Sequence, residues 1–204
     1  MSNFKTRLAS GLAAAALAAG LAAAQGLPGL APPASPAAPA NVQVEILNNA
    51  SKGFQIGYPA GWQVIAGANE VDYGFLSPDQ NAMCVVVSLA VPDLAGVPED
   101  QLRAAMSVPQ GEEFWNQNFF NQFQNVKYQH VGANTKHPGG WPLQTVQASG
   151  DISENGKTLG LTFAGIFTAK SGSLFRTMCY TPTALFEQNK AQFFAVFESF
   201  KITK

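Results

Sequence analysis

The stretch that most constrains this chain is Ala82 to Val91, "AMCVVVSLAV". It is apolar at odd and even positions alike, and it is too short for a membrane span. Successive side chains of a strand point to opposite faces, so a strand of this kind must be covered on both sides. The stretch therefore points to a central strand, and helices elsewhere in the chain have to supply its cover. Helical patterns are available for that purpose. Pro98 opens "PEDQLRAAM" at a first helical position, and a second helix is expected from Pro109 to Gln124, with Glu112 and Glu113 in its first turns. Trp115, Phe119 and Phe123 recur at i, i+4 and i+8 and form its apolar stripe, and Phe114 and Phe120 flank that stripe with partial exposure.

The remaining elements read as strands joined by short turns. "NVQVEI" alternates as an edge strand before the turn-like "NNASKG". In "GFQIGYPAGWQV", Phe54, Ile56 and Tyr58 share one side of a strand that Pro59 stops, because proline cannot donate to a ladder. Gly61 supplies a turn, and a second strand resumes from Trp62, whose ring returns to the core. Tyr73 to Leu76 is a third short strand. Val126–Val131, Leu143–Asp151, Lys157–Thr168 and Ser173–Thr181 form an antiparallel meander with turns at "PGG", "SENG" and "KSGS". Thr181 as N-cap and Pro182 at the first helical position start a closing helix. Its Phe186, Phe193, Phe194 and Phe197 are expected to face inward, with Phe200 and Ile202 completing the docking.

Ahead of this domain, Lys5 and Arg7 precede an Ala- and Leu-rich run to Ala24, and Ala22-Ala23-Ala24 fits a small-x-small cleavage rule. Residues 1–24 are expected to be a secretory signal cut after Ala24. Gln25 to Ala40 holds five Pro and no charge and reads as an extended linker, which leaves residues 41–204 as one globular domain. Loss of Lys5 and Arg7 takes the 12 basic residues to 10 against 13 acids, about −3 overall. With no Lys/Arg run, nucleic acid is not an expected partner. The residue directly after the cut is Gln25 and not a cysteine, so no lipid anchor is expected there and no stable membrane anchor is expected after cleavage. The expected location is periplasmic or secreted.

The front motif Phe54, Ile56, Tyr58, Pro59, Gly61 and Trp62, and the closing Phe194, Phe197, Ser199, Phe200 and Ile202, together resemble the PsbP-like and DcrB-like domains. Members of that superfamily include the extrinsic oxygen-evolving subunit of photosystem II, a fungal Ran-binding protein and bacterial envelope and secretion-adaptor proteins. The resemblance implies an α+β fold, an antiparallel sheet sandwiched between helical layers. Its matching residues, Tyr58, Pro59, Gly61 and Trp62 among them, are structural ones that fix a corner and a core.

Reactive constellations are absent from the sequence pattern. His130 and His137 lie in no HExxH or Cys-His cluster, and Ser88, Ser149, Ser171 and Ser173 lack a G-x-S-x-G context. "GLTFAG" marks a bulge or close contact more readily than a phosphate cradle. His137, before Pro138-Gly139-Gly140, reads as a solvated turn residue; a metal there would need Glu70, Asp72 or Asp151 beside it. No cofactor is expected. Cys84 and Cys179 each sit in a strand of an exported chain and are disulfide candidates, provided those strands are neighbours or face each other; two separately buried thiols are the alternative. Without C-x-x-C, redox catalysis is not indicated. The expected function is a non-catalytic adaptor that recognises another envelope protein or an apolar segment, with Phe114, Phe120, His137 and Trp141 as its binding surface. A small-ligand or metal-binding periplasmic protein, and a hydrolase with an unrecognised site, are the alternatives.

Overall fold

The computed structural model describes residues 42–67, 71–154 and 157–203. The expected signal, the linker and Glu70 lie outside these residues. Strands β1 (Val44–Asn49) and β2 (Phe54–Pro59) form an antiparallel pair that a two-residue strand, β10 (Lys201–Ile202), extends on the far side of β2. The corner after Tyr58-Pro59 then carries the chain out of this small sheet. Pro59 is the last residue of β2, its carbonyl accepts the Trp62 amide at 3.0 Å, and Gly61 takes a φ of +83°, which a side chain would strain. What resumes is the first strand of a second sheet.

That second sheet has seven strands: β3 (Gln63–Ala66), β4 (Tyr73–Leu76), β5 (Met83–Ala90), β6 (Gln124–Asn134), β7 (Leu143–Glu154), β8 (Lys157–Lys170) and β9 (Ser173–Pro182). Their order across the sheet is β3-β4-β5-β9-β8-β7-β6, antiparallel throughout. The meander β6 to β9 is as the pattern predicts. The insertion of β5 between β4 and β9 is not readable from it.

β5 is covered on both faces. On one side, α1 (Glu99–Met106) and α2 (Glu112–Trp115) place Leu102, Met106 and Trp115 over Val85 and Val87 of β5, Phe163 and Phe167 of β8, and Leu174 and Met178 of β9. On the other, the small sheet and α3 (Phe186–Ser199) place Phe54, Ile56, Phe193, Val196 and Phe197 over Cys84, Val86, Ala164, Ile166 and Phe175. Each large side chain buried in this way contributes about 1.5 to 3 kcal/mol. Cys84 and Cys179 are direct cross-strand partners of β5 and β9 with Cα atoms 3.9 Å apart, both fully buried and joined by a bond between their Sγ atoms. The fold is therefore α+β in a single domain, helices on one face and a helix plus a small sheet on the other.

Several expectations are corrected. The second helix is short. It begins at Glu112 and passes after Trp115 into a wide π-type turn over Asn116–Phe120. That wider turn lets the adjacent Phe119 and Phe120 both enter the core, so Phe120, at 2% exposure, is no part of a surface. Pro98 occupies the cap position and Glu99 is the first helical residue. Thr181 and Pro182 finish β9, a 3-10 turn over Thr183–Leu185 follows, and Thr181 serves the interior by donating its hydroxyl to the Asn81 carbonyl at 2.7 Å. Phe194 is 43% exposed. Phe186, Phe193 and Phe197 are spaced by seven and four and share one face of α3, whereas Phe194 is turned about 100° from Phe193 and points outward.

Candidate functional site

α3 and the small sheet cover β4, β5, β9 and the Ala164–Ile166 part of β8 but leave β7 and β6 more open on that side. The result is a groove of about 550 Å³ with α3 as one wall. Its floor comes from cross-strand partners, which point to the same face: His130 opposite Gln147, Thr145 opposite Ile166, Gln147 opposite Ala164. Its wall is Phe194, Phe197 and Glu198. Phe194 and Phe197 meet edge to face, ring centres 6.1 Å apart, so the exposed ring is held in place by a buried one.

The β6–β7 part of the floor is polar, and Ala164 and Ile166 of β8 make the rest of it apolar. His130 Nε2 lies 3.0 Å from Thr145 Oγ1, and the imidazole rests over Gly132, where an added Cβ would come within 2.8 Å of the ring. Gly132 is thus the condition for that ring position. One side of the groove offers aromatic and aliphatic surface, and the other offers hydroxyl, amide and imidazole groups, with the Glu198 carboxylate at the rim.

His137 also borders the groove, but it is buried rather than solvated. The Gly139 amide donates to Nδ1 at 3.0 Å, which makes Nδ1 an acceptor and leaves the proton on Nε2. Nε2–H then donates to the Phe197 carbonyl at 2.9 Å. Both ring nitrogens are engaged, and the side chain ties the β6–β7 loop to the end of α3, leaving no lone pair for a metal. Asp151 lies eight residues beyond Leu143 along β7, about 26 Å at a strand's rise, and the Asp72 carboxylate accepts the Ser88 amide and faces Lys52 at 4.0 Å. Among the described residues no three His, Cys, Asp or Glu side chains converge as a metal site.

Trp141 is likewise interior. Its Nε1–H donates to the Ala169 carbonyl at 3.1 Å, the Arg103 guanidinium covers its ring at 4.4 Å, and Lys170 lies 5.2 Å from the ring centre. Phe114 is half-buried against Trp115, Phe119 and Phe167. The four side chains expected as one surface therefore do not form one: Phe114 and Phe120 lie on the α1/α2 side of the sheet, and Trp141 is locked in a structural stack. Phe194, Thr145 and Gly132 were not expected in a site. The signal for Phe194 was present in the heptad spacing of α3, but the Thr145–His130 pairing depends on the β6–β7 register.

No family model and no curated protein matches the chain. Solved structures do. The PsbP protein of the cyanobacterium Synechocystis sp. PCC 6803 superposes with a TM-score of 0.55 at 14% identity, over 83% of this chain and 98% of that one. LpqN of Mycobacterium tuberculosis, described as involved in cell envelope biogenesis, matches at a TM-score of 0.49 and 13% identity, over 81% and 93% of the two chains. The Ran-binding protein Mog1p of Saccharomyces cerevisiae matches at 0.49 and 10%, over 80% and 97%.

Proposed function

The chain has the PsbP-type fold, and from that premise we propose that it is an exported binding module, periplasmic or secreted, whose α3/β6–β8 groove takes an apolar-faced segment of another envelope protein. The observation that carries this reading is Phe194. A large ring that is 43% exposed on the wall of a groove, opposite a floor of hydrogen-bonding groups, suits a ligand with one apolar and one polar side. Export is supported by the signal-like residues 1–24 and by the Cys84–Cys179 bond, which persists in oxidising compartments. The mature chain begins at Gln25 in this reading, and the intact mass of the secreted protein measures that directly.

The binding reading is tested by placing a photo-crosslinking residue at position 194 in the living cell, with position 108 as control, since Val108 is 62% exposed and lies away from the groove. A discrete adduct at 194 that is absent at 108, and that reappears as an interaction weakened by Phe194→Ala in the purified pair, supports it. Equal labelling at both positions refutes it. The groove volume also falls within the range of small-molecule sites. Native mass spectrometry of protein purified from its own envelope separates that second reading, because a retained small molecule adds a defined mass that Phe194→Ala removes.

A further inference from the structure

The outer edge of β1 lies at the margin of the small sheet and contributes no residue to the groove. The Ala60 amide donates to the Gln43 carbonyl at 2.9 Å, which marks Gln43–Ala60 as a hydrogen-bonded pair of the antiparallel ladder. Bonded and non-bonded pairs alternate, so Glu45, Leu47 and Asn49 turn their backbone groups toward β2, and Val44, Ile46 and Asn48 turn theirs away. Gly57 verifies this alternation. It stands opposite Ile46, and its amide also points away from the β1–β2 ladder, where the Ser199 hydroxyl accepts it at 2.6 Å.

The two sides of the small sheet are thus treated differently. On the β2 side, β10 pairs with Phe54 and Gln55, and Ser199 satisfies Gly57 beyond it. On the β1 side, the outward amides and carbonyls of Val44, Ile46 and Asn48 have no strand opposite them among the described residues. Sheet edges are usually guarded by bulges, lysines, proline or shortness. β6, the far edge of the large sheet, carries Lys127 and two register irregularities, and β3, its other edge, has four residues. β1 has six residues in unbroken register, with no Lys or Pro, and Val44 and Ile46 are 36% and 50% exposed. Glu45, the one charge in β1, is engaged by the Tyr58 hydroxyl.

We propose that the outer edge of β1 takes an extended segment of a partner protein as an added strand, with apolar residues at alternate positions beside Val44 and Ile46. The outward row of donors and acceptors recurs at every second residue, which only an extended backbone matches, and the exposed Val44 and Ile46 select β-branched or aliphatic side chains next to them. A second copy of this chain is a poorer occupant. Two six-residue strands meeting edge to edge bury far less than the roughly 1,200 Å² that a stable dimer needs.

The test uses a displayed library of random heptapeptides selected against the exported domain. The expected peptides alternate apolar and polar residues, slow hydrogen exchange at the Val44, Ile46 and Asn48 amides, and bind Phe194→Ala as well as the parent. Ile46→Pro removes an amide that no ladder bond uses, so the domain stays folded while peptide affinity falls roughly fivefold or more. Because that variant also alters the side chain, a selected peptide is N-methylated in two alternating sets. One set should abolish binding and the other leave it intact, since only one parity faces the edge. Equal loss from both sets, binding that disappears with Phe194→Ala, protection of the β1 amides through doubling of the domain's own mass, or failure to select any peptide overturns the proposal. Each of these outcomes leaves the groove crosslink at position 194 to stand or fall separately.

Discussion

Reduction of the Cys84–Cys179 bond is the perturbation whose effect follows most directly from the structure. The two residues are 95 positions apart, and the loop they close contains both helices of the first covering layer and strands β6 to β8. In the chain-entropy model a closed loop of that length restricts the unfolded ensemble by roughly 4.7 kcal/mol at 25 °C. Residual structure in the unfolded chain lowers this, so we expect the oxidised domain to be about 3 to 4.5 kcal/mol more stable than the reduced one. Both half-cystines are fully buried, so a reductant reaches them only when the β5–β9 region opens. Urea unfolding of oxidised and pre-reduced protein measures the difference. The reduced form should also show the steeper denaturant dependence, because its unfolded chain expands further. Superimposable curves, or two free thiols counted in denatured, unreduced protein, would refute the reasoning.

Trp62→Ala should cost about 3 to 5 kcal/mol in the same assay, since the ring is 5% exposed and meets Phe193 edge to face at 6.4 Å; a loss under about 1 kcal/mol would show that this ring does not hold the corner to α3. His137→Ala should cost about 2 kcal/mol, roughly 1 for each hydrogen bond, and the Gly139 amide should then exchange faster with solvent; an unchanged midpoint would return His137 to the surface. Burial pushes the Tyr180 phenol up to about 12. The unfolded chain ionises near its ordinary value of 10 while the folded one keeps its proton, so this contribution is complete below pH 10 and is lost as pH rises from 10 toward 12. Tyr180→Phe should remove that part of the alkaline decline, and a spectrophotometric titration in which every tyrosine ionises near pH 10 would contradict it.

Local pattern alone determined the strands, the corner at Pro59 and Gly61, the inward Trp62, the meander, and the need to cover Ala82–Val91 on both faces, because period-2 alternation and turn chemistry act between neighbours in the chain. It also limited the chemistry, since no reactive motif could be assembled from adjacent residues. The failures share a different origin. His137 lies in a Pro-Gly-Gly loop that any local rule places in water, yet the end of α3, 60 residues onward, closes over it, and the Phe197 carbonyl there accepts its hydrogen bond. Phe120 enters the core only because the turn before it widens, and Phe194 leaves it because the helix has a single inward face. The groove needs α3 to cover half of a sheet whose strand order runs β5-β9-β8-β7-β6, and the open edge of β1 among the described residues needs the returning strand β10 to pair with β2 and not with β1. Those outcomes are set by contacts between residues distant in sequence, whose mutual distances no local periodicity encodes.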